Sequence, residues 1–237
     1  MLQDDAFEYV KNHNSELISK FASLDEYPTI LNPEAFFMAG SPGAGKTEYS
    51  RRFIKLLEEK DDKRKIVRID ADEIRDFLPM YDKHNSDLVQ RAAVKGVDIL
   101  LNKVFDKDQE FLLDATFAVF GISYKNIARA LKHGRKISIF YIHQDPLKAW
   151  QLTQIRENIE GRKVPKDVFI KAYFNAKENV SKIKAEFGKE VTLTLIDKNY
   201  SLGAEGLEKT FINIDSIDNY LKMKYNTNYL EENLKVI

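Results

Sequence analysis

The sequence predicts an α/β fold, a five-stranded parallel sheet covered by helices on both faces, and three observations predict it. Apolar runs of strand length alternate with amphipathic stretches of helix length across most of the chain, the pattern of parallel strands joined by helical crossovers. The first run, Ala35-Phe36-Phe37-Met38-Ala39, ends in a glycine-rich turn that opens a helix. The second and third runs end in carboxylates, and in open parallel sheets the crevice outside the carboxyl ends of the strands is where ligands collect.

Each element has its own signal. Asp4 to about Ser23 carries Phe7, Val10, Leu17, Ile18 and Phe21 at helical spacing, and Pro28 and Pro33 then bracket an extended linker. The helix after the first strand runs from Thr47 to about Lys60 on Tyr49, Phe53, Leu56 and Leu57, and the mixed charges from Glu58 to Lys65 read as its solvated end. Ile66-Val67-Arg68-Ile69 is the second strand and leads into Asp70-Ala71-Asp72 and a helical segment. Ser86 to about Phe105 is a broad-striped core helix. Glu110-Phe111-Leu112-Leu113 is the third strand, ending in Asp114-Ala115-Thr116. A helix from Ser123 to His133 stops at Gly134, and Lys136 to Ile142 is the fourth strand. Pro146 opens a helix that closes at Gly161; Phe169 to Phe187 is another helix, and Val191 to Ile196 is the fifth strand. Asp197 to Phe211 is irregular and carries glycine, as a loop would. Ser216 to about Tyr225 reads as a last helix before a polar tail. The expected organisation is a single domain over 1–237: an N-terminal helix and linker (1–33), a ligand-binding α/β core (34–200), and a C-terminal loop and helix (201–237).

At 237 residues and 43% hydrophobic content the chain can bury one substantial core. Its 37 basic residues balance 37 acidic ones, so no global field draws it to nucleic acid or to an anionic membrane. The absence of cysteine excludes disulfides, thiolate metal sites and a cysteine nucleophile, and fits a reducing compartment. No leader and no membrane-length apolar run is evident, which predicts a cytoplasmic protein.

The turn after the first strand is Gly40-Ser41-Pro42-Gly43-Ala44-Gly45-Lys46-Thr47, a complete G-x-x-x-x-G-K-[ST] phosphate-binding loop with a strand before it and a helix after it. Its glycines let successive N–H groups point at phosphates, Lys46 reaches the β- and γ-phosphates, and the Thr47 hydroxyl ligates Mg²⁺. A nucleoside triphosphate is therefore the expected ligand. Asp72 at the second strand's exit suits either a helix N-cap or a base for an acceptor hydroxyl, and Asp114 on the third strand's tip has the Walker B position for Mg²⁺ or its water. Arg156 and Arg162 flank Gly161. Six residues of uninterrupted helix turn by about 600° and would separate them, whereas a glycine lets the chain turn and aim both inward, as a lid would. Two surface arginines at a helix end are the plainer alternative.

Phosphoryl transfer needs a cradled triphosphate, Mg²⁺, a carboxylate for the acceptor hydroxyl and cations over the migrating group. A hydrolase would also need a residue to position water, and no convincing glutamine or glutamate offers itself. The four histidines lack metal-ligand spacing, and Trp150, Phe117 and Phe120 read as core or pocket wall.

Together, Gly40 to Thr47, Ile69-Asp70-Ala71-Asp72-Glu73-Ile74-Arg75 with Pro79, Asp114-Ala115-Thr116, Ile155-Arg156-Glu157 and Gly161-Arg162-Lys163-Val164-Pro165-Lys166 resemble the zeta toxin family of bacterial toxin–antitoxin systems. The resemblance spans about Phe36 to Ile196. It implies a P-loop kinase fold with an arginine-bearing lid, ATP as donor with Mg²⁺ held through Thr47 and Asp70, and the 3′-hydroxyl of the amino sugar of UDP-N-acetylglucosamine as acceptor. By the same resemblance Asp72 is the catalytic base, Arg156 and Arg162 are lid arginines acting with Lys46 on the phosphates, and Arg75, Asp114 and Thr116 join Asp72 at the acceptor. A separate antitoxin chain is implied as a partner. The sequence departs from the family where acceptor is read: Leu78-Pro79 replaces His-Pro, and Asp114-Ala115-Thr116 followed by Phe117 replaces Glu-Gly-Thr with a basic residue. Another nucleotide or a polynucleotide 5′-hydroxyl as acceptor stays open, although zero net charge weighs against the polynucleotide. A non-enzymatic, ATP-controlled binding module is the alternative of a different class.

Overall fold

A computed structural model describes residues 2–160, 163–198, 208–221 and 225–235. Among them are the strands β1 (Glu34–Ala39), β2 (Val67–Asp70), β3 (Phe111–Asp114), β4 (Lys136–His143), β5 (Val191–Asp197) and β6 (Lys209–Phe211), in one sheet of order β2-β3-β1-β4-β5-β6. The first five are parallel, as the alternation predicts, and β6 adds an antiparallel edge beside β5. Residue alternation along β1 divides the core. Phe36 and Met38 join Phe140, Ile142 and Ile196 on one face, while Ala35, Phe37 and Ala39 join Ile139, Tyr141 and Leu195 on the other. With both faces covered, the strands need near-continuous apolar runs, which is what the sequence supplies.

Helix α3 (Lys46–Lys60), which follows the phosphate loop, covers the first face through Tyr49, Phe53, Ile54 and Leu57; the Phe53 and Phe140 rings lie 4.6 Å apart. Helices α5 (Ser86–Asp106), α6 (Phe120–Lys132) and α8 (Lys166–Phe187) cover the second through Leu100, Val104, Ile127, Ala176 and Val180. Between β2 and α5 lies the short α4 (Ala71–Arg75), and α7 (Pro146–Glu160) follows β4. Among the described residues no helix is long and apolar enough to cross a membrane.

Three local readings change. The expected N-terminal helix is two, α1 (Leu2–Asn12) and α2 (Asn14–Ala22), broken at His13, whose ring stacks on Tyr9 at 3.9 Å and whose Nδ1 lies 2.9 Å from the Tyr9 carbonyl. The stretch read as irregular contributes β6, while 199–207 lie outside the described residues. In place of a helix from Ser216, a single 3₁₀ turn spans Ile217–Asn219, and the tail read as polar carries α9 (Thr227–Asn233). Asn226 caps α9 by accepting the Tyr229 N–H at 2.9 Å, and Leu230 and Leu234, one turn apart, bury against Trp150 and Phe169.

Candidate active site

The phosphate loop is built from backbone angles that only glycine takes readily. Gly40, Gly43 and Gly45 have φ of +139°, +71° and +86°. Two of them are also hemmed in by neighbouring backbone: a Cβ on Gly40 would strike the Ile142 carbonyl of β4, and one on Gly43 the Ala149 carbonyl, with the Thr153 hydroxyl, of α7. Gly45 precedes α3 and offers it no side-chain cap, so the helix begins with its orphan N–H groups on the loop side. The Lys46 ammonium folds over the loop, donating to the carbonyls of Gly40 at 3.0 Å and Ser41 at 2.8 Å. Ser41 and Ala44 are buried, and Pro42 and Thr47 half-buried.

Asp70 and Asp114 are register partners at the tips of adjacent strands. Asp70, rather than Asp72, is the N-cap of α4: its Oδ1 accepts the Asp72 N–H at 2.9 Å. That leaves the Asp72 carboxylate for other work. Arg75 holds it in an ion pair, itself buried and donating with its other terminal nitrogen to Gln90 of α5. The three carboxylates differ in access, with side chains 10% exposed at Asp70, 4% at Asp114 and 31% at Asp72. Arg75, expected at the acceptor, is buried with its guanidinium engaged by Asp72 and Gln90.

Sequence reading missed the cation that organises this corner. Arg68 of β2 reaches forward to the strand tip, with Nη2 2.6 Å from both Asp70 Oδ2 and Asp114 Oδ2, Nη1 on Glu73, and Nε 3.1 Å from Ser50 Oγ. The signal was present: a lone arginine inside the apolar run Val67-Arg68-Ile69. Ser50, one turn into α3, donates to Asp114 at 2.9 Å and so ties the strand tips to the helix that begins at the phosphate loop. Burial, helped by the neighbouring carboxylates of Asp114 and Asp72, raises the Asp70 carboxyl from 3.8 to about 6 despite Arg68. Burial lowers the Arg68 guanidinium, but Asp70, Asp114 and Glu73 outweigh it and hold it above its ordinary value.

Past β3 the chain is strained. Phe117 is buried with φ of +64°, and its carbonyl accepts from Asn179 of α8 at 2.9 Å. Thr116, half-buried, uses its carbonyl to accept the Gly40 N–H at 3.1 Å, joining this segment to the phosphate loop. Arg156 stands on α7 one turn beyond Thr153, the residue against Gly43, and is half-buried. Arg162 and Gly161 lie outside the described residues.

Among the described residues no cluster of three or more His, Asp or Glu side chains could hold a metal ion by itself. Mg²⁺ asks for less, since it keeps several waters and shares phosphate oxygens with one or two protein oxygens. Thr47 on the first turn of α3 and Asp70 fit that demand, each Asp70 oxygen retaining a lone pair beyond the hydrogen bond it already accepts.

Comparison with known proteins agrees with this architecture. None of the curated protein sequences matches the chain. Solved structures share its fold. One belongs to the PezAT chromosomal toxin–antitoxin system of the human pathogen Streptococcus pneumoniae, with TM-score 0.64 and 19% identity over 82% of this chain and 78% of that one. The native AvrRxo1-ORF1:-ORF2 complex superposes at TM-score 0.61 and 15% identity, over 92% and 69% of the two chains. The same complex with ATP gives 0.61 and 15%, over 89% and 65%. At such identities the likeness is one of fold. The family model described as zeta toxin matches residues 19–202, from within α2 to beyond β5 and so across the phosphate loop, both carboxylate-tipped strands and α7, and the chain belongs to the zeta toxin family.

Proposed function

We propose that the protein is an ATP-dependent kinase that moves the γ-phosphoryl group to a sugar hydroxyl of a nucleotide sugar, with UDP-N-acetylglucosamine the leading acceptor. One observation carries the reading: because Asp70 takes the helix cap, Asp72 is left as the solvent-open carboxylate of the strand-tip group. In this reading Asp72, oriented by Arg75, accepts the hydroxyl proton. The freed oxygen attacks the γ-phosphorus, the bond to the β,γ-bridging oxygen breaks, and ADP leaves with its electron pair. Gly40 to Gly45 cradle the triphosphate, Lys46 turns from the loop carbonyls to the β- and γ-phosphates, and Arg156 with Arg162 neutralises charge from the lid. Thr47 and Asp70 would hold Mg²⁺, which would supply neutralisation of phosphate charge. Asp114 and Thr116 border the acceptor.

Family membership supports phosphotransferase chemistry, and the ATP bound in the AvrRxo1-ORF1:-ORF2 complex supports ATP as donor. The toxin–antitoxin setting of PezAT supports a toxin restrained by a separate antitoxin chain. The test is mass spectrometry after incubating the protein with ATP, Mg²⁺ and a mixture of UDP-N-acetylglucosamine, other nucleotide sugars, nucleotides and a short RNA. UDP-N-acetylglucosamine should gain one phosphoryl mass with wild type and none with Asp72→Ala. Labelling of a different component alone would overturn the acceptor and keep the kinase; tight ATP binding with nothing labelled would favour the ATP-controlled binding module.

A further inference from the structure

The sheet order gives the nucleotide site a direction. Asp70, Asp72 and Asp114 lie on the β2–β3 side of the phosphate loop, and β4, β5 and β6 on the other. A γ-phosphate facing those carboxylates leaves the nucleoside to exit over β4 and β5. Lys198, the residue after β5, stands there. Its N–H donates to the His143 carbonyl at 2.8 Å, tying it to the tip of β4, and its side chain is only 4% exposed. A Cβ added to Gly45 of the phosphate loop would come within 2.7 Å of its Nζ, so the ammonium lies directly against the loop.

A charge so buried requires opposite charge beside it. Glu48, on the first turn of α3, approaches at 3.2 Å, and Glu208, just before β6, at 3.4 Å. Glu208 is also ion-paired to Arg52, whose guanidinium lies 5.4 Å from the centre of the Tyr49 ring. Burial, and then Glu208, raises the Tyr49 hydroxyl above its ordinary value. The two carboxylates around Lys198 make this corner a poor place for phosphate. A neutral group bearing both donors and acceptors suits it, since the ammonium can donate to ring or carbonyl atoms and the carboxylates can accept from hydroxyls or amines. The Glu48 side chain is 74% exposed, so its hold on Lys198 is water-screened and yields to a ligand.

Building on the kinase reading above, we infer that Lys198 is a nucleoside-binding residue of the donor site, donating from its ammonium to the base or ribose of a nucleoside triphosphate seated in the phosphate loop. The experiment compares ATP with inorganic tripolyphosphate, which has the phosphates and no nucleoside, by calorimetric titration in Mg²⁺. Wild type should bind ATP at least about tenfold more tightly than tripolyphosphate, the weight of one charge-assisted hydrogen bond. Lys198→Met should weaken ATP about tenfold or more and leave tripolyphosphate unchanged, while Lys198→Gln, which keeps a donor, should recover part of the loss.

Equal weakening of both ligands by Lys198→Met would make Lys198 a brace for the loop and overturn the inference, as would no change in either. Equal affinity of wild type for the two ligands would overturn it without any variant, so a poorly folding Lys198→Met does not protect it. Wild type that binds neither ligand sinks the kinase reading and this inference together, whereas ATP bound and transferred normally with no Lys198 effect sinks the inference alone.

Discussion

Asp70 and Asp114 face each other in the register of β2 and β3, and both accept from the same nitrogen of Arg68 at 2.6 Å. Buried side by side, the two need either that cation or a shared proton. Removing one partner from a buried ionic group is costlier than replacing the whole group. Arg68→Met should therefore destabilise the protein by about 3 kcal/mol or more, read as a lowered urea midpoint with unchanged m-value. Adding Asp114→Asn should restore part of the loss; a double variant no better than the sum of the singles would deny the coupling.

The two aspartates of Asp70-Ala71-Asp72 should separate under substitution. Asp72→Asn should slow transfer by about 10²- to 10⁴-fold, the range for removing a general base, while ATP affinity stays within about threefold. Asp70→Ala should lower the melting temperature as well, through a lost cap worth about 1 kcal/mol and a lost partner for Arg68, and its loss of turnover should be partly recovered by raised Mg²⁺, which Asp72→Asn should not show. Parallel turnover and thermal unfolding on the two variants decide this, and near wild-type turnover in Asp72→Asn would remove the base assignment.

Gly43→Ala tests the loop by shape alone. The new methyl would meet the Ala149 carbonyl on α7, at a backbone angle of +71° that alanine resists. The variant should lose more than about 1 kcal/mol of stability and bind ATP poorly even though no charge is altered. Gly134, also at positive φ (+67°) but with open space around it, is the control: Gly134→Ala should destabilise without touching ATP affinity.

His143, buried at the tip of β4 beside Tyr173, supplies a pH signature. Burial pulls its imidazole below the ordinary 6.5, against the opposing pull of Asp197 and Asp145. The folded state thus binds the proton less readily than the unfolded chain, so the stability tied to neutral His143 is present above pH 6.5 and is lost as pH falls below it. Urea midpoints from pH 8 to 5 should fall more steeply for wild type than for His143→Phe. Identical slopes would show that folding leaves the proton affinity of His143 unchanged.

What was legible in the sequence follows from what periodicity records. The five parallel strands and the phosphate loop announce themselves through contiguous apolar runs and fixed glycines, which are local signals. The strand-tip network does not: Ser50, Arg68 and Asp114 meet only because β2, β3 and α3 pack together, and nothing in the neighbours of Arg68 says which carboxylates it will find. The same limit hid α9, where Leu230 and the Leu234 that follows the helix are too few to outweigh a polar composition until Trp150 and Phe169 are brought beneath them. Asp72 was ambiguous between cap and base because one residue-type preference serves both, and the geometry shows that the cap is Asp70.

The hydrogen bond from the Gly40 N–H to the Thr116 carbonyl makes the donor cradle and the β3 exit a single mechanical piece. This is a constraint on descent. A lineage that rewrites residues 115–119 edits, with the same changes, the carbonyl that anchors Gly40, and Phe117 with its left-handed backbone sits inside that edit. Change in this stretch should therefore proceed by side chains hung on one backbone path, with insertions and deletions excluded between Asp114 and α6.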